Sequence, residues 1–297
     1  MTKIIGVDFS GARGDNNTWA TFGNLDGQDL TLESCARITR AELTRTLAEC
    51  RGPTVAALDF PFATPKAFAD YWLPGSAAMP ELWSAAAELE YDDFLGLRDR
   101  FVALYGEPKR ACDPPESYSC LHMVNPIMLP MTFRGMQMLN RLWFGDTRNP
   151  VSVPPLPEHS RQEGDGVTEL LEVMPGAVLR RLGLPFKGYK GGAKAGERRR
   201  RIVSELPTLA APIAFNFGEF EGIALKSHDA LDSVVAAVAA ALWSIDRERF
   251  PQPPVEGKRG YDPIVLLEGW LYAPERANGP GSGVPIRGVL VDTRADT

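Results

Sequence analysis

Two short apolar runs, each closed by an aspartate, constrain this chain more than any other feature. Ile4-Ile5-Gly6-Val7 ends at Asp8, and Val55-Ala56-Ala57-Leu58 ends at Asp59. Runs of this length with no polar interruption suit strands covered on both faces. Between them, Thr18 to Gly23 and Asp29 to Arg37 read as two further strands, and Asp26-Gly27 is a hairpin turn signal. Arg40 to Glu49 follows as an amphipathic helix, with Leu43 and Leu47 one turn apart. A hairpin-linked trio of strands, a helix and then a buried strand imply a mixed α/β sheet. The helix would be the crossover that sets Thr54 to Asp59 parallel to the first strand. Both aspartates would then leave the sheet at one edge, the edge where open α/β sheets bind ligands.

From Pro65 the pattern changes. Residues 65–150 are dense in aromatics and methionines at helical spacing, for example Phe94, Leu97, Phe101 and Leu104, and read as a helical insertion after the fourth strand. The prolines between 151 and 164 suggest a stiff connector. Val167 to Met174 reads as a fifth strand, with Pro175 placed to start a helix. Ala195 to Leu206 reads as a basic helix, Ser227 to Arg247 as an alanine-rich helix, and Ile264 to Leu271 as a last strand. The segment 274–297 reads as an irregular tail. The core therefore divides into residues 1–64 and 165–273.

Composition narrows the function classes. Lys plus Arg number 32 against 38 Asp plus Glu, a net charge of −6, and 44% of residues are hydrophobic, so disorder is excluded. The longest near-apolar stretch, Val234 to Trp243, spans ten residues. A membrane helix needs roughly 20, so no span is expected. Asp8 interrupts what would be the apolar part of an export signal, and the four cysteines include no C-x-x-C pair. A cytoplasmic protein without a disulfide framework or zinc site is the expectation.

Familiar catalytic spacings are missing. Gly188 to Lys194 lacks the G-x-x-x-x-G-K-[ST] pattern, and no G-x-S-x-G is present. Ser227, His228 and Asp229 are consecutive and cannot form a relay. The acids carry more. Asp229 and Asp232 share one face at the start of the alanine-rich helix, and Glu172 closes the fifth strand. A structural reading competes: Asp229 could be an N-cap with Asp232 as its N3 partner. Carboxylates gathered at one edge repel unless a cation offsets them, and Mg²⁺, or Mn²⁺ in its place, suits such hard oxygen donors. Two such ions about 4 Å apart would promote phosphodiester hydrolysis. Lys187, Lys190, Lys194 and Arg198 to Arg201 concentrate positive charge in an acidic chain, which suits phosphate contact by nucleic acid. Trp72, Trp83 and Phe101 could stack bases, although their helical spacing favours a buried core.

The order of elements, with Asp8 on strand one, an acid on strand four and paired acids on the last core helix, resembles the ribonuclease H-like superfamily. The run Ser227 to Ser233 is similar to the final acidic motif of RuvC-type junction resolvases. More closely, the chain resembles an uncharacterised family of predicted RNase H-like nucleases. The matching segments are Gly6 to Gly11, Leu58 to Pro61, Glu172 to Gly176, His228 to Asp232 and Glu268 to Trp270. The resemblance implies a five-stranded mixed sheet flanked by helices, and a metal-dependent nuclease. It implies Asp8 and Asp59 as shared metal ligands, Asp229 or Asp232 completing the set, and Glu172 at the rim. Lys187, Lys190, Lys194, Arg198 and Arg201 would face nucleic acid. Where RuvC-type sites usually carry Glu on strand four, this chain has the shorter Asp59. Two alternatives remain open: an actin-like or sugar-kinase-type phosphotransferase, whose first phosphate turn Asp8-Phe9-Ser10-Gly11 resembles, and a non-catalytic binding module.

Overall fold

In the computed structural model, which describes residues 1–115, 117–157, 166–254 and 262–276, the two Asp-terminated runs are neighbouring parallel strands. The strands are β1 (Thr2–Asp8), β2 (Thr18–Asp26), β3 (Asp29–Ile38), β4 (Thr54–Asp59), β5 (Val151–Ser152) and β6 (Thr168–Glu172). The helices are α1 (Arg40–Ala48), α2 (Lys66–Trp72), α3 (Met79–Ala87), α4 (Tyr91–Tyr105), α5 (Met128–Phe144), α6 (Pro175–Arg181), α7 (Ala195–Leu209), α8 (Glu221–Lys226), α9 (His228–Ile245) and α10 (Ile264–Glu268).

Among the described residues the sheet has six strands in the order β3-β2-β1-β4-β6-β5. The β1/β2 and β2/β3 pairs are antiparallel, and the β1/β4, β4/β6 and β5/β6 pairs are parallel. Gly27, at φ 59°, supplies the left-handed position of the β2–β3 turn. Thr39 and Glu42 then form a reciprocal capping box that starts α1.

Two expectations are corrected. The sheet has six strands instead of five, because Val151–Ser152 in the proline-rich segment pairs with β6. Ile264 to Leu271 is no strand: it begins with α10 and continues irregularly, since so short an apolar run after Pro263 carries no period that separates helix from strand. Residues 158–165, and the expected tail beyond Arg276, lie outside the described residues.

Strand alternation sorts the core into two layers. Ile5, Val7, Ala56, Leu58 and Leu170 pack on one face of the sheet with α1 and the helices of 65–150. Ile4, Val55, Ala57 and Leu171 pack on the other face with α6, α7 and α9. The aromatics of the insertion fill the first layer. Trp83 and Phe101 are fully buried, Trp83 donating from Nε1 to the Phe62 carbonyl at 2.7 Å, so neither is free to stack a base. Helix α9 is long and apolar enough by composition to cross a membrane, but every residue from Ala230 to Trp243 is buried inside the second layer.

One glycine sets the depth of α9. A Cβ on Gly6 would sit 2.1 Å from the Ala237 nitrogen and 2.2 Å from the Ser233 carbonyl oxygen, so only glycine lets β1 and α9 touch backbone to backbone. Ser233 seals the contact through its hydroxyl, 2.8 Å from that of Thr21 on β2.

Candidate metal centre

The same alternation that sends Ile4 toward α9 sends Gly6 and then Asp8 there. On β4 it sends Val55, Ala57 and then Asp59 to the same side. Asp8 and Asp59 are direct register partners at the ends of their strands. Ser227 caps α9 by accepting a hydrogen bond from the Ala230 backbone nitrogen at 3.2 Å, so the cap is neither Asp229 nor Asp232. Freed from that duty, Asp232 points from the second turn of α9 onto the strand ends. One carboxylate oxygen from each of Asp8, Asp59 and Asp232 lies within 4.8 Å of the others.

Three acids this close raise one another's pKa. For Asp8, burial is the largest cause of a strong upward shift, followed by repulsion from Asp232 and Asp59. Asp59 is pushed up to about 7, by burial first, with Lys190 opposing and Asp232 adding. Asp232, wholly buried, also moves upward, by burial first and against the pull of Lys190 and Tyr189. The Tyr189 hydroxyl donates to Asp232 Oδ1 at 2.8 Å. Lys190 Nζ lies 2.7 Å from Oδ2 and forms an ion pair with it. Burial alone would lower the lysine's pKa, yet Asp232, Asp59 and Asp8 together raise it.

This donor set fits a divalent cation. It offers three hard carboxylate oxygens within 4.8 Å of one another, from acids that repel unless a cation offsets them. Asp8, Asp59 and Asp232 are the residues that would hold it.

The other expected site residues are placed elsewhere. Asp229 is about one-third exposed, 3.0 Å from His228 Nε2, and outside the group of three. Glu172 shares the parity of Leu170, not of Leu171, and so points to the opposite face of the sheet. There it is buried, accepts from the Phe62 backbone nitrogen at 3.0 Å, and is paired through both oxygens with Arg110 of the insertion. Arg110 also grips Asp113 at 2.8 Å and the Glu268 carbonyl at 3.1 Å. Burial would lower the guanidinium pKa, but Asp113 and Glu172 hold it well above its ordinary value. Glu172 is thus a tie between sheet and insertion in place of the rim ligand it was taken for.

Of the basic residues, Lys190 alone among Lys187, Lys190, Lys194, Arg198 and Arg201 forms an ion pair with the acidic group. Lys187 is exposed with Nζ 5.5 Å from the Phe186 ring centroid, and Lys194 is exposed at the entry to α7. Arg198 packs over Gly188. Arg201 pairs with Glu205 at 2.8 Å in solvent. Arg199 donates to the Leu225 and Tyr189 carbonyls at 2.7 and 2.6 Å, bracing the loop that carries Lys190.

Comparison with known proteins adds one finding. Residues 156–256 match a family described as "Protein of unknown function (DUF429)". That stretch includes Glu172, Tyr189, Lys190 and Asp232 but neither Asp8 nor Asp59. No curated protein and no solved structure matches the chain.

Proposed function

We propose that this chain is a ribonuclease H-like, divalent-metal-dependent nuclease that hydrolyses phosphodiester bonds in nucleic acid. The observation that carries the reading is the convergence of Asp8, Asp59 and Asp232 from three separate elements onto one point at the strand ends. The sheet is compatible with it: an antiparallel β3-β2-β1 meander is joined through β1 to parallel β4 and β6, an order that suits a ribonuclease H-like core, with β5 added at the edge.

In this reading Asp8, Asp59 and Asp232 would hold Mg²⁺ or Mn²⁺. Bound there, the ions would supply an acidified water and polarise the phosphate. Tyr189 fixes the carboxylate of Asp232 through Oδ1. Lys190 brings positive charge to where a phosphate would approach. The buried floor of the pocket keeps each charge interaction strong by excluding water.

The alternatives draw less support. The turn Asp8 to Gly11, which a phosphotransferase would need open, is covered: a Cβ on Gly11 would lie 2.1 Å from the Met131 nitrogen of α5, and Arg134 donates to the Gly11 carbonyl. A purely structural module would gain by losing three mutually repelling carboxylates, one of them wholly buried.

Asp8→Asn and Asp232→Asn test the reading. Each should abolish Mg²⁺- or Mn²⁺-dependent cleavage of labelled single- and double-stranded DNA and RNA. Asp8→Asn should leave the metal-free Tm equal to or above wild type, since one repelling group is removed, and Asp232→Asn, which also loses the Lys190 ion pair, should remain folded by circular dichroism. Cleavage that survives either change, or no cleavage of any substrate by the wild type, would overturn it.

A further inference from the structure

Lys190 occupies a position that phosphate binding alone does not explain. Its ammonium already lies 2.7 Å from Asp232 Oδ2, an oxygen that a divalent ion would need. The carboxylate cannot turn aside to serve both, because Tyr189, itself buried, holds Oδ1. A dication and the lysine would also repel strongly at contact distance.

We propose that Lys190 is a resident cation that occupies the metal seat and must withdraw from Asp232 before a divalent ion binds, so that its side chain gates metal loading. The inference rests on the reading of the three aspartates as a metal centre. The side chain has room for such a movement. The Lys190 side chain is 52% exposed, so its path outward is open. Gly191 and Gly192 have nothing within 4 Å of where a Cβ would stand, and Gly188 and Gly192 adopt φ of 68° and 91°. Tyr189 and the Arg199 contact to its carbonyl hold the backbone meanwhile. The lysine can leave while its own loop stays docked. Once withdrawn, its ammonium sits at the mouth of the pocket, placed to meet a phosphate oxygen. Metal and phosphate would then favour each other's binding through one side chain.

Calorimetric titration with Mn²⁺ alone tests this at about pH 8, where a carboxyl of pKa about 7 is largely ionised. Lys190→Met and Lys190→Gln should bind Mn²⁺ at least about tenfold tighter than wild type, and charge-preserving Lys190→Arg should stay within about threefold of it. Circular dichroism establishes that each variant is folded, and either neutral variant suffices. Binding by the wild type with equal or weaker binding by the neutral variants would overturn the gate and leave the metal centre standing. An equal gain in Lys190→Arg would also overturn it, showing loop loosening instead of charge release. No Mn²⁺ binding by any form would overturn both this inference and the metal-dependent reading. Tight binding by the neutral variants with none by wild type would support it most strongly.

Discussion

Asp59 has the most consequential single pKa in the molecule, because a value of about 7 lies within the ordinary working range. Its unfolded-state value is near 4, so between about pH 4 and pH 7 the folded protein keeps a proton that the unfolded chain has released. Stability is therefore favoured on the acid side of that window, falls as pH rises through it, and carries the full cost above it. In EDTA the Tm should drop between about pH 5 and pH 8, and Asp59→Asn should flatten that drop. Parallel pH profiles for wild type and variant would contradict the argument. At this scale the sequence marks Asp8 and Asp59, which end apolar runs, and pairs Asp232 with Asp229 on one helix face without choosing between them; the structure brings Asp8, Asp59 and Asp232 together. Glu172 was misplaced for want of a parity count along β6, where one residue decides the face. Arg110, which claims Glu172 from 62 residues away, and Tyr189, hidden in a glycine-lysine loop, carried no local signal.

The contact of β1 with α9 is the element-level feature on which the pocket depends. Gly6→Ala would drive a methyl into the backbone of α9, and neither partner is a flexible side chain that could yield. Strand and helix would have to part, at a cost of about 3 kcal/mol or more, and Asp232 would recede from Asp8 and Asp59. Urea unfolding should show the loss, and Mn²⁺ titration should show weaker binding. Unchanged stability would mean the close approach is not needed. A glycine within an apolar strand does advertise a near backbone, so this contact was available to sequence reasoning. Strand β5 was not: with two residues it has no period to detect, and only pairing with β6 makes it a strand. Helix α10 fails the same way, as five residues of mostly apolar character fit either state.

At the scale of the whole molecule, the helices of 65–150 build much of one of the two core layers. They cover the sheet face formed by Ile5, Val7, Ala56, Leu58 and Leu170, and Gly135 of α5 lies against the Phe60 ring. Removing residues 66–149 would bare that face, so the remainder should not yield a folded protein. The intact chain should unfold in one transition, with tryptophan fluorescence, which includes Trp83 and Trp143, coinciding with far-ultraviolet circular dichroism. Two separated transitions would show that the insertion is an independent domain. The aromatic density of this region was legible in the sequence, but its attachment was not, because the ties come from far along the chain. Glu268 accepts from the backbone nitrogens of Lys66 at 2.5 Å and Ala111 at 2.6 Å, and Tyr272 donates its backbone N–H to Glu172 at 2.9 Å. These late residues clasp early ones, and Asp232 is itself supplied long after Asp8 and Asp59. On the ribosome, a nascent chain that has passed Asp59 but not reached Asp232 would carry two of the three acids with nothing to complete them or fasten the surrounding layers. The pocket is thus assembled only after position 232 has emerged.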